Sequence, residues 1–286
     1  MNNPKISVLV LSYNHAPYIA RAVRSALWSG HQAGLTEVIL FDDGSTDDTP
    51  TVLAELARQE PMLRYRILDH GGVESIAKNF NHLVDSATGD YITFLSADDE
   101  ILSRRFNRPV EILEANHDIS GVYSNGVNVL NGKVLGPVVC GNTISLFASG
   151  DPRDIYTHIT NNFSDLFIQG LLVRREFFDG FVGFDETLIA DDWVFNIRFF
   201  SRAHAMAKKV VFLDETAFAR HLLPSRTSAN IEVHSKRVEQ VISKYVEPSS
   251  RQLLRRLFYW KLFRQSLKAR HLKSVARTSY SILRSF

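Results

Sequence analysis

Apolar and polar positions alternate between two rhythms over the first hundred residues of this chain. Residues 5–11 (KISVLVL) form a short run rich in β-branched side chains, the pattern of a strand covered on both faces. Ser12-Tyr13-Asn14-His15 breaks that run, and Pro17 suits the first turn of a helix. Ile19, Ala22, Val23, Ala26 and Leu27 then recur at helical spacing. Residues 37–41 (EVILF) predict a second strand, 48–60 a second helix and 63–67 a third strand. After a Gly71-Gly72 loop, Ile76, Phe80, Leu83, Val84 and Ala87 mark a third helix, closed by Gly89, and 91–95 predict a fourth strand. Strand and helix in this alternation predict a parallel, doubly wound sheet with helices on both faces.

The rhythm changes after residue 100. A helix is expected near 109–116, then strands at 119–123 and 127–138, the latter folded at Asn131-Gly132 as a two-residue hairpin turn. Residues 139–165, rich in Gly, Asn, Asp and Ser, predict no firm element. Residues 170–174 read as a short strand and 181–185 as an irregular segment. Asp191-Asp192 open a helix carrying Trp193, Ile197 and Phe200 on one face, 210–213 form a last strand, and the chain is helical in pattern from about 231. The divisions are 1–105, 106–230 and a helical C-terminal extension, 231–286.

Composition narrows the class. At 286 residues with 45% apolar and 22% charged content, the chain suits one large α/β domain or two smaller ones sharing an interface. Cys140 is the only cysteine, which excludes an internal disulfide and a thiolate metal cluster, so a metal would be held by oxygen or imidazole. Apolar runs fall short of the roughly 18 residues that cross a bilayer, and the first residues lack a secretory pattern, so a cytoplasmic protein is expected. The net charge of +2 conceals an asymmetry: residues 249–286 hold ten Lys or Arg and no acid, leaving the first 248 residues at −8.

Chemistry concentrates where the strands end. Ligands of doubly wound sheets collect at the carboxyl ends of strands, and Ser12-Tyr13, Asp42-Asp43 and Asp98-Asp99 all fall there. Each acid pair also reads as a helix cap or a turn. In the functional reading, Asp98-Asp99 hold Mg²⁺ or Mn²⁺ against a diphosphate, and Asp42-Asp43 accept the imide N–H of uracil or thymine, or ribose hydroxyls. Asp191-Asp192 cap their helix or supply a general base. Lys78-Asn79 lie close enough to the strand tips to meet a phosphate, and His221 reads as a structural histidine or as a further metal or phosphate contact.

Taken together, SVLVLSYNHAPYIARAVRSAL, EVILFDDGSTDDT, AKNFNHLVDSATGDYITFLSADDE and GFDETLIADDWVFNIRFF resemble the family 2 glycosyltransferases of the GT-A fold, over roughly residues 5–225. The resemblance implies a Rossmann-like, mostly parallel central sheet in which 1–105 bind a nucleotide sugar and 106–230 bind the acceptor. It assigns Tyr13 and Asp43 to the nucleotide base, Ser12 and Asp42 to its surroundings, and Lys78, Asn79 and Asp98 to the rest of the nucleotide. It assigns Asp98, Asp99 and His221 to the metal, and Asp192, beside Asp191, to the base that deprotonates an acceptor hydroxyl. Ser96 stands where the family often opens its metal motif with Asp, Asp191 where it usually has Glu, and Ser29 near a usual Gln. The implied reaction is an inverting, metal-dependent sugar transfer from a UDP- or dTDP-type donor, in bacterial cell-surface polysaccharide or glycolipid synthesis.

Other classes fit less well. A phospho-accepting receiver needs an acidic pair after the first strand, where this chain has Leu11-Ser12-Tyr13, and a dinucleotide-binding oxidoreductase needs G-x-G-x-x-G in the first turn. An inactive family member serving as a binding or scaffold subunit is the remaining alternative. The cationic tail reads as a helix on an anionic membrane, bringing the enzyme to a lipid-linked acceptor on the inner face of the plasma membrane, or as helices packed on the body with a solvated face. No motif supports nucleic-acid binding.

Overall fold

The computed structural model describes residues 4–31, 35–70, 75–102, 104–189, 192–223 and 231–268. The alternation of the first half is present as expected: β1 (Ile6–Ser12), α1 (Ala16–His31), β2 (Leu35–Asp42), α2 (Thr49–Gln59), β3 (Leu63–Ile67), α3 (Ile76–Ser86) and β4 (Tyr91–Ser96). There follow β5 (Glu100–Ile101), α4 (Asn107–Ala115), β6 (Ile119–Leu130), β7 (Lys133–Pro137), α5 (Gly141–Leu146), α6 (Pro152–Ile159), β8 (Leu171–Arg174), α7 (Asp192–Ala205), β9 (Lys209–His221), α8 (Ile231–Lys244) and α9 (Pro248–Lys268).

These strands form one sheet in the order β3-β2-β1-β4-β8-β6-β9-β5, with β7 paired to β6. The four strands of the first half are mutually parallel, as are β6 and β9, whereas β8, β5 and β7 run antiparallel to their neighbours. The sheet is mixed, with six of its nine strands pointing the same way.

Alternation along β1 decides which helices cover which face. Ile6, Val8 and Val10 pack with Ile19, Ala22, Val23 and Ala26 of α1, Leu53 and Leu56 of α2, and Leu113 of α4. Leu9 points to the other face, where Ala77 and Leu83 of α3, the phenylalanines of α7, and residues of α8 and α9 form the larger core. Phe195, Phe199 and Phe200 are fully buried there, each worth about 3–5 kcal/mol against truncation to alanine.

The second half departs from expectation in three places. The predicted strands at 119–123 and 127–130 are one strand, β6, with register shifts against β9 around Ser124-Asn125-Gly126. Asn125 makes that irregularity tolerable: its Oδ1 accepts from Gly126 N at 2.8 Å and Val139 N at 3.0 Å, and its Nδ2 donates to Asp214 at 2.9 Å. Residues 139–165 contain α5 and α6, helices too short to declare a stripe; α6 starts at Pro152 behind Asp151, whose carboxylate accepts from Arg153 N at 2.8 Å. Finally, β9 extends well past 210–213 to His221, which sets that residue beside the end of β4. The hairpin at Asn131-Gly132 is as predicted, both residues having positive φ, 49° and 77°. Among the described residues, no helix is long and apolar enough to cross a membrane.

Candidate active site

Parallel pairing brings three strand ends side by side: Ser12 is in register with Asp42, and Leu11 with Ser96. Ser12 is buried, its carbonyl accepts from Asp43 N at 2.8 Å, and its hydroxyl oxygen has no hydrogen-bond partner among the described residues. Asp42 was expected to surround a nucleotide directly, yet it is fully buried, and its two oxygens accept from Ser45 N at 2.8 Å and Ser45 Oγ at 2.6 Å. It shapes the turn that presents Asp43, because an Asp side chain accepting from backbone two or three residues on fixes the loop.

Asp43 is buried as well, and both of its carboxylate oxygens are engaged. Asn79 Nδ2, on α3, donates to its Oδ1 at 3.0 Å, and His70 Nδ1 lies 3.2 Å from its Oδ2 and 2.8 Å from its carbonyl oxygen. The His70 ring stacks flat on Tyr13, with centroids 4.2 Å apart and planes within 7°. Both rings are partly exposed, so Tyr13, His70 and Asp43 compose a flat aromatic surface beside a carboxylate acceptor. Lys78 is exposed on α3 next to Asn79. The Gly71-Gly72 loop lies outside the described residues.

At the end of β4, Asp98 and Asp99 differ in role. The Asp98 carbonyl accepts from Arg21 Nη2 at 3.0 Å. Asp99 is fully buried and closes a turn through its N–H to Ser96 O at 3.0 Å. Its Oδ2 accepts from Gln169 Nε2 at 2.8 Å and its Oδ1 from the His221 N–H at 2.8 Å. The imidazole of His221 meets Glu100 Oε1 at 2.6 Å, and Glu100 also pairs with Arg21 at 3.1 Å. His221 thus reaches the acidic tip from β9: its backbone N–H braces Asp99, and its Nε2 meets Glu100.

Hard oxygen donors at Asp98 and Asp99 suit Mg²⁺ or Mn²⁺. Among the described residues, however, no group of three or more His, Cys, Asp or Glu is arranged to hold a metal. The donor set thus fits such an ion only where diphosphate oxygens complete its coordination.

Asp192 occupies the first turn of α7 and is partly buried; Asp191 lies outside the described residues. Tyr123 reports the position of Asp192, since burial and then the Asp192 charge hold its hydroxyl well above the ordinary tyrosine range. That hydroxyl donates to Asn196 Oδ1, one turn beyond Asp192, and Asn196 Nδ2 donates to Leu166 O at 2.8 Å. Three residues later, Gln169 donates to Ser96 Oγ and Asp99, both at 2.8 Å. The short segment 166–169 therefore fixes the start of α7 and the acidic tip of β4 to each other.

Arg105 fixes that segment in turn. Its buried guanidinium donates to Gln169 O, to Thr93 Oγ1 at 2.8 Å and to Leu171 O at 3.0 Å. Burial lowers its pKa to about 9. Gln169, Arg105, Asn196 and His70 carried no sequence signal of a site: each is a lone polar residue, tied to it only by contacts 12 to 73 positions away.

Residues 7–135 match the sequence family described as Glycosyl transferase family 2. The GalNAc(5)-diNAcBac-PP-undecaprenol beta-1,3-glucosyltransferase of Campylobacter jejuni is 27% identical over 186 residues, covering 65% of this chain and 58% of that protein. Two further curated relatives, both glycosyltransferases, are matched over 35% and 64% of their length. Among solved structures, Staphylococcus aureus TarS 1-349 in complex with UDP-GlcNAc superposes with a TM-score of 0.60 at 19% identity, covering 98% of this chain and 79% of that one. Mannosyltransferase PcManGT from Pyrobaculum calidifontis, in complex with GDP-Man and Mn²⁺, gives 0.58 at 20% identity, covering 85% of this chain and 64% of that one.

Proposed function

We propose that this chain, whose residues 7–135 match the glycosyl transferase family 2, moves a sugar, with inversion, from a nucleotide diphosphate sugar to an acceptor hydroxyl. Residues 1–105 bind the donor and 106–230 the acceptor. The observation that carries this reading is the segment 166–169, which holds a partly buried carboxylate, Asp192, in fixed relation to the acidic tip Asp98-Asp99. A base and a site for departing charge, set on rigid elements, are what an in-line displacement requires.

Tyr13 and His70 offer a stacking surface for a base, and Asp43, oriented by Asn79, accepts its imide N–H. An acceptor there favours uracil or thymine donors. Lys78 and Asn79 lie on the same helix near the diphosphate. Mg²⁺ or Mn²⁺, held by Asp98 with Asp99, would neutralise the departing diphosphate. In the transfer itself, the acceptor oxygen bonds to the anomeric carbon as the bond from that carbon to phosphate oxygen breaks. The nucleoside diphosphate leaves with the electron pair, and Asp192 takes the acceptor proton. The proposed acceptor is a saccharide, free or lipid-linked, in bacterial surface-polysaccharide or glycolipid synthesis, and the proposed location is cytoplasmic, at the inner face of the plasma membrane.

The test is calorimetric titration of UDP-, dTDP- and GDP-sugars with Mg²⁺ or Mn²⁺, for the wild type and Asp43→Ala. Binding of a uracil or thymine donor that is weakened in the variant supports the reading. If no nucleotide diphosphate binds under any of these conditions, the chain is a scaffold subunit instead.

A further inference from the structure

Helix α9 has two apolar faces, and among the described residues only one of them is packed. Leu254, Phe258 and Leu262 recur at four-residue spacing, are buried, and join the same core as Val238, Val241 and Ile242 of α8. The cations nearest this face are consumed locally. Arg251 Nε donates to Val246 O at 2.9 Å, and Arg255 donates to Glu239 Oε2 at 2.9 Å and to Ser243 Oγ at 3.2 Å.

On the opposite side Leu253, Leu257 and Trp260, at i, i+4 and i+7, form a second stripe that is 57%, 49% and 48% exposed. At 100° per residue, Arg256 lies along one edge of this stripe, Lys261 along the other, and Arg264 continues it by one turn. Trp260 is built into the ridge, stacked on Phe263 at 5.4 Å with the Arg264 guanidinium 5.7 Å over its ring. A monomer that leaves aligned Leu, Leu and Trp in water forgoes their burial unless something covers them.

We infer that this outer face of α9 docks on an anionic lipid surface. Leu253, Leu257 and Trp260 enter the boundary between headgroups and acyl chains, and Arg256, Lys261 and Arg264 pair with lipid phosphates. Charge selects this occupant. Residues 249–286 contain ten cations and no acid, so a second copy laid stripe against stripe would set the cations of the stripe against their own copies, whereas an anionic bilayer complements Arg256, Lys261 and Arg264. The same argument disfavours residues 269–286 as the cover, since they add four cations and no acid. Aromatic, aliphatic and cationic side chains on one exposed ridge are what interfacial binding uses, and the buried face already fixes the depth at which the body stands above the membrane. Docking rests on the proposed sugar transfer only for its purpose, which is to bring the site to a lipid-linked acceptor.

The experiment is co-sedimentation of the full chain with phosphatidylcholine vesicles, with and without phosphatidylglycerol. Two variants accompany it: L253S/L257S/W260S, and R256Q/K261Q/R264Q. Leu253, Leu257, Trp260, Lys261 and Arg264 are exposed and Arg256 is half-buried, and circular dichroism checks that both variants fold. The wild type is expected to sediment with the anionic vesicles only. The charge variant should partition roughly a hundredfold less, at about 1 kcal/mol for each cation, and the apolar variant should lose binding as well. Equal sedimentation of all three proteins overturns the inference. So does a concentration-dependent dimer in size exclusion that the apolar variant abolishes, or vesicle binding that appears only after residues 269–286 are deleted. Calorimetry with a donor sugar separates the two readings, because these variants should bind nucleotide as the wild type does.

Discussion

Gln169 Nε2 bonds the carboxylate of Asp99 and the hydroxyl of Ser96 at once, both at 2.8 Å, from a segment more than seventy residues away in sequence. Ser96 occupies the position where a further acid would repel Asp98 and Asp99, and the amide supplies a donor in place of a metal ligand. With the His221 N–H on the other oxygen, both oxygens of Asp99 are thereby oriented at the acidic tip. Replacing Gln169 by Leu removes the donor without adding charge, and turnover should fall about 10- to 100-fold, the usual effect of losing a partner that orients a ligand. Steady-state kinetics with a saturating donor check this; unchanged turnover in a folded Gln169→Leu protein refutes it.

Gly44 sets the distance between two loops. Its φ is +70°, and a Cβ there would lie 2.8 Å from the backbone nitrogen of His70 and 3.0 Å from the Leu68 carbonyl oxygen. Neither backbone atom can turn aside. Gly44→Ala should lose roughly 2 kcal/mol or more of stability from the left-handed conformation and the clash together, and should also part His70 from Tyr13. A thermal melt reads the first effect and nucleotide titration the second. A stable variant with weakened nucleotide binding would still support the role given to the His70 loop; wild-type behaviour in both would remove it.

The first half was legible because its signals are local. Apolar runs, helical stripes and acid pairs at strand ends each sit within a dozen residues, and their alternation predicts a parallel sheet, which β3-β2-β1-β4 forms. The same local view could not separate Asp42 from Asp43, since the difference lies in which of them Ser45 caps. It could not find Gln169, Arg105 or Asn196 either, because a lone amide or guanidinium shows its role only when folding brings in partners 12 to 73 positions distant. The contact of the His221 ring with Glu100 was invisible for a related reason, since the two lie 121 positions apart.

Asp185 provides a pH-dependent clasp near the start of α7. Its Oδ1 accepts from Thr187 N and Oγ1 at 3.0 and 2.7 Å, and its Oδ2 from Lys244 Nζ and Tyr245 Oη, both at 2.6 Å. Burial by itself would raise its pKa, but the bonds from Lys244, Tyr245 and Thr187 outweigh that and hold it well below its ordinary value of 3.8. A depressed carboxylate contributes stability that is complete above pH 3.8 and drains away as pH falls through the folded-state value. Asp185→Asn should cost about 2 kcal/mol at neutral pH and should flatten the stability profile below pH 4. Urea unfolding between pH 3 and 7 tests this; parallel profiles for the two proteins would show that the clasp carries no linkage.

Asp192→Asn separates base from brace. The amide matches the carboxylate in size and keeps an oxygen acceptor in the first turn of α7, so the helix and the segment 166–169 should stay in place, with unfolding midpoints close to wild type. What is lost is the proton acceptor, and turnover should drop by about 10²- to 10⁴-fold with donor affinity little changed. Tyr123 supplies a second reading that does not depend on activity. Its hydroxyl is held up by burial and by the Asp192 charge, so removing the charge should move its ionisation toward lower pH in an ultraviolet titration, while burial keeps it above an exposed tyrosine. Asp191→Asn is the necessary partner experiment, since the two acids adjoin in sequence. If Asp191→Asn abolishes turnover and Asp192→Asn leaves it intact while still shifting Tyr123, then Asp192 is near Tyr123 as placed but Asp191 takes the proton.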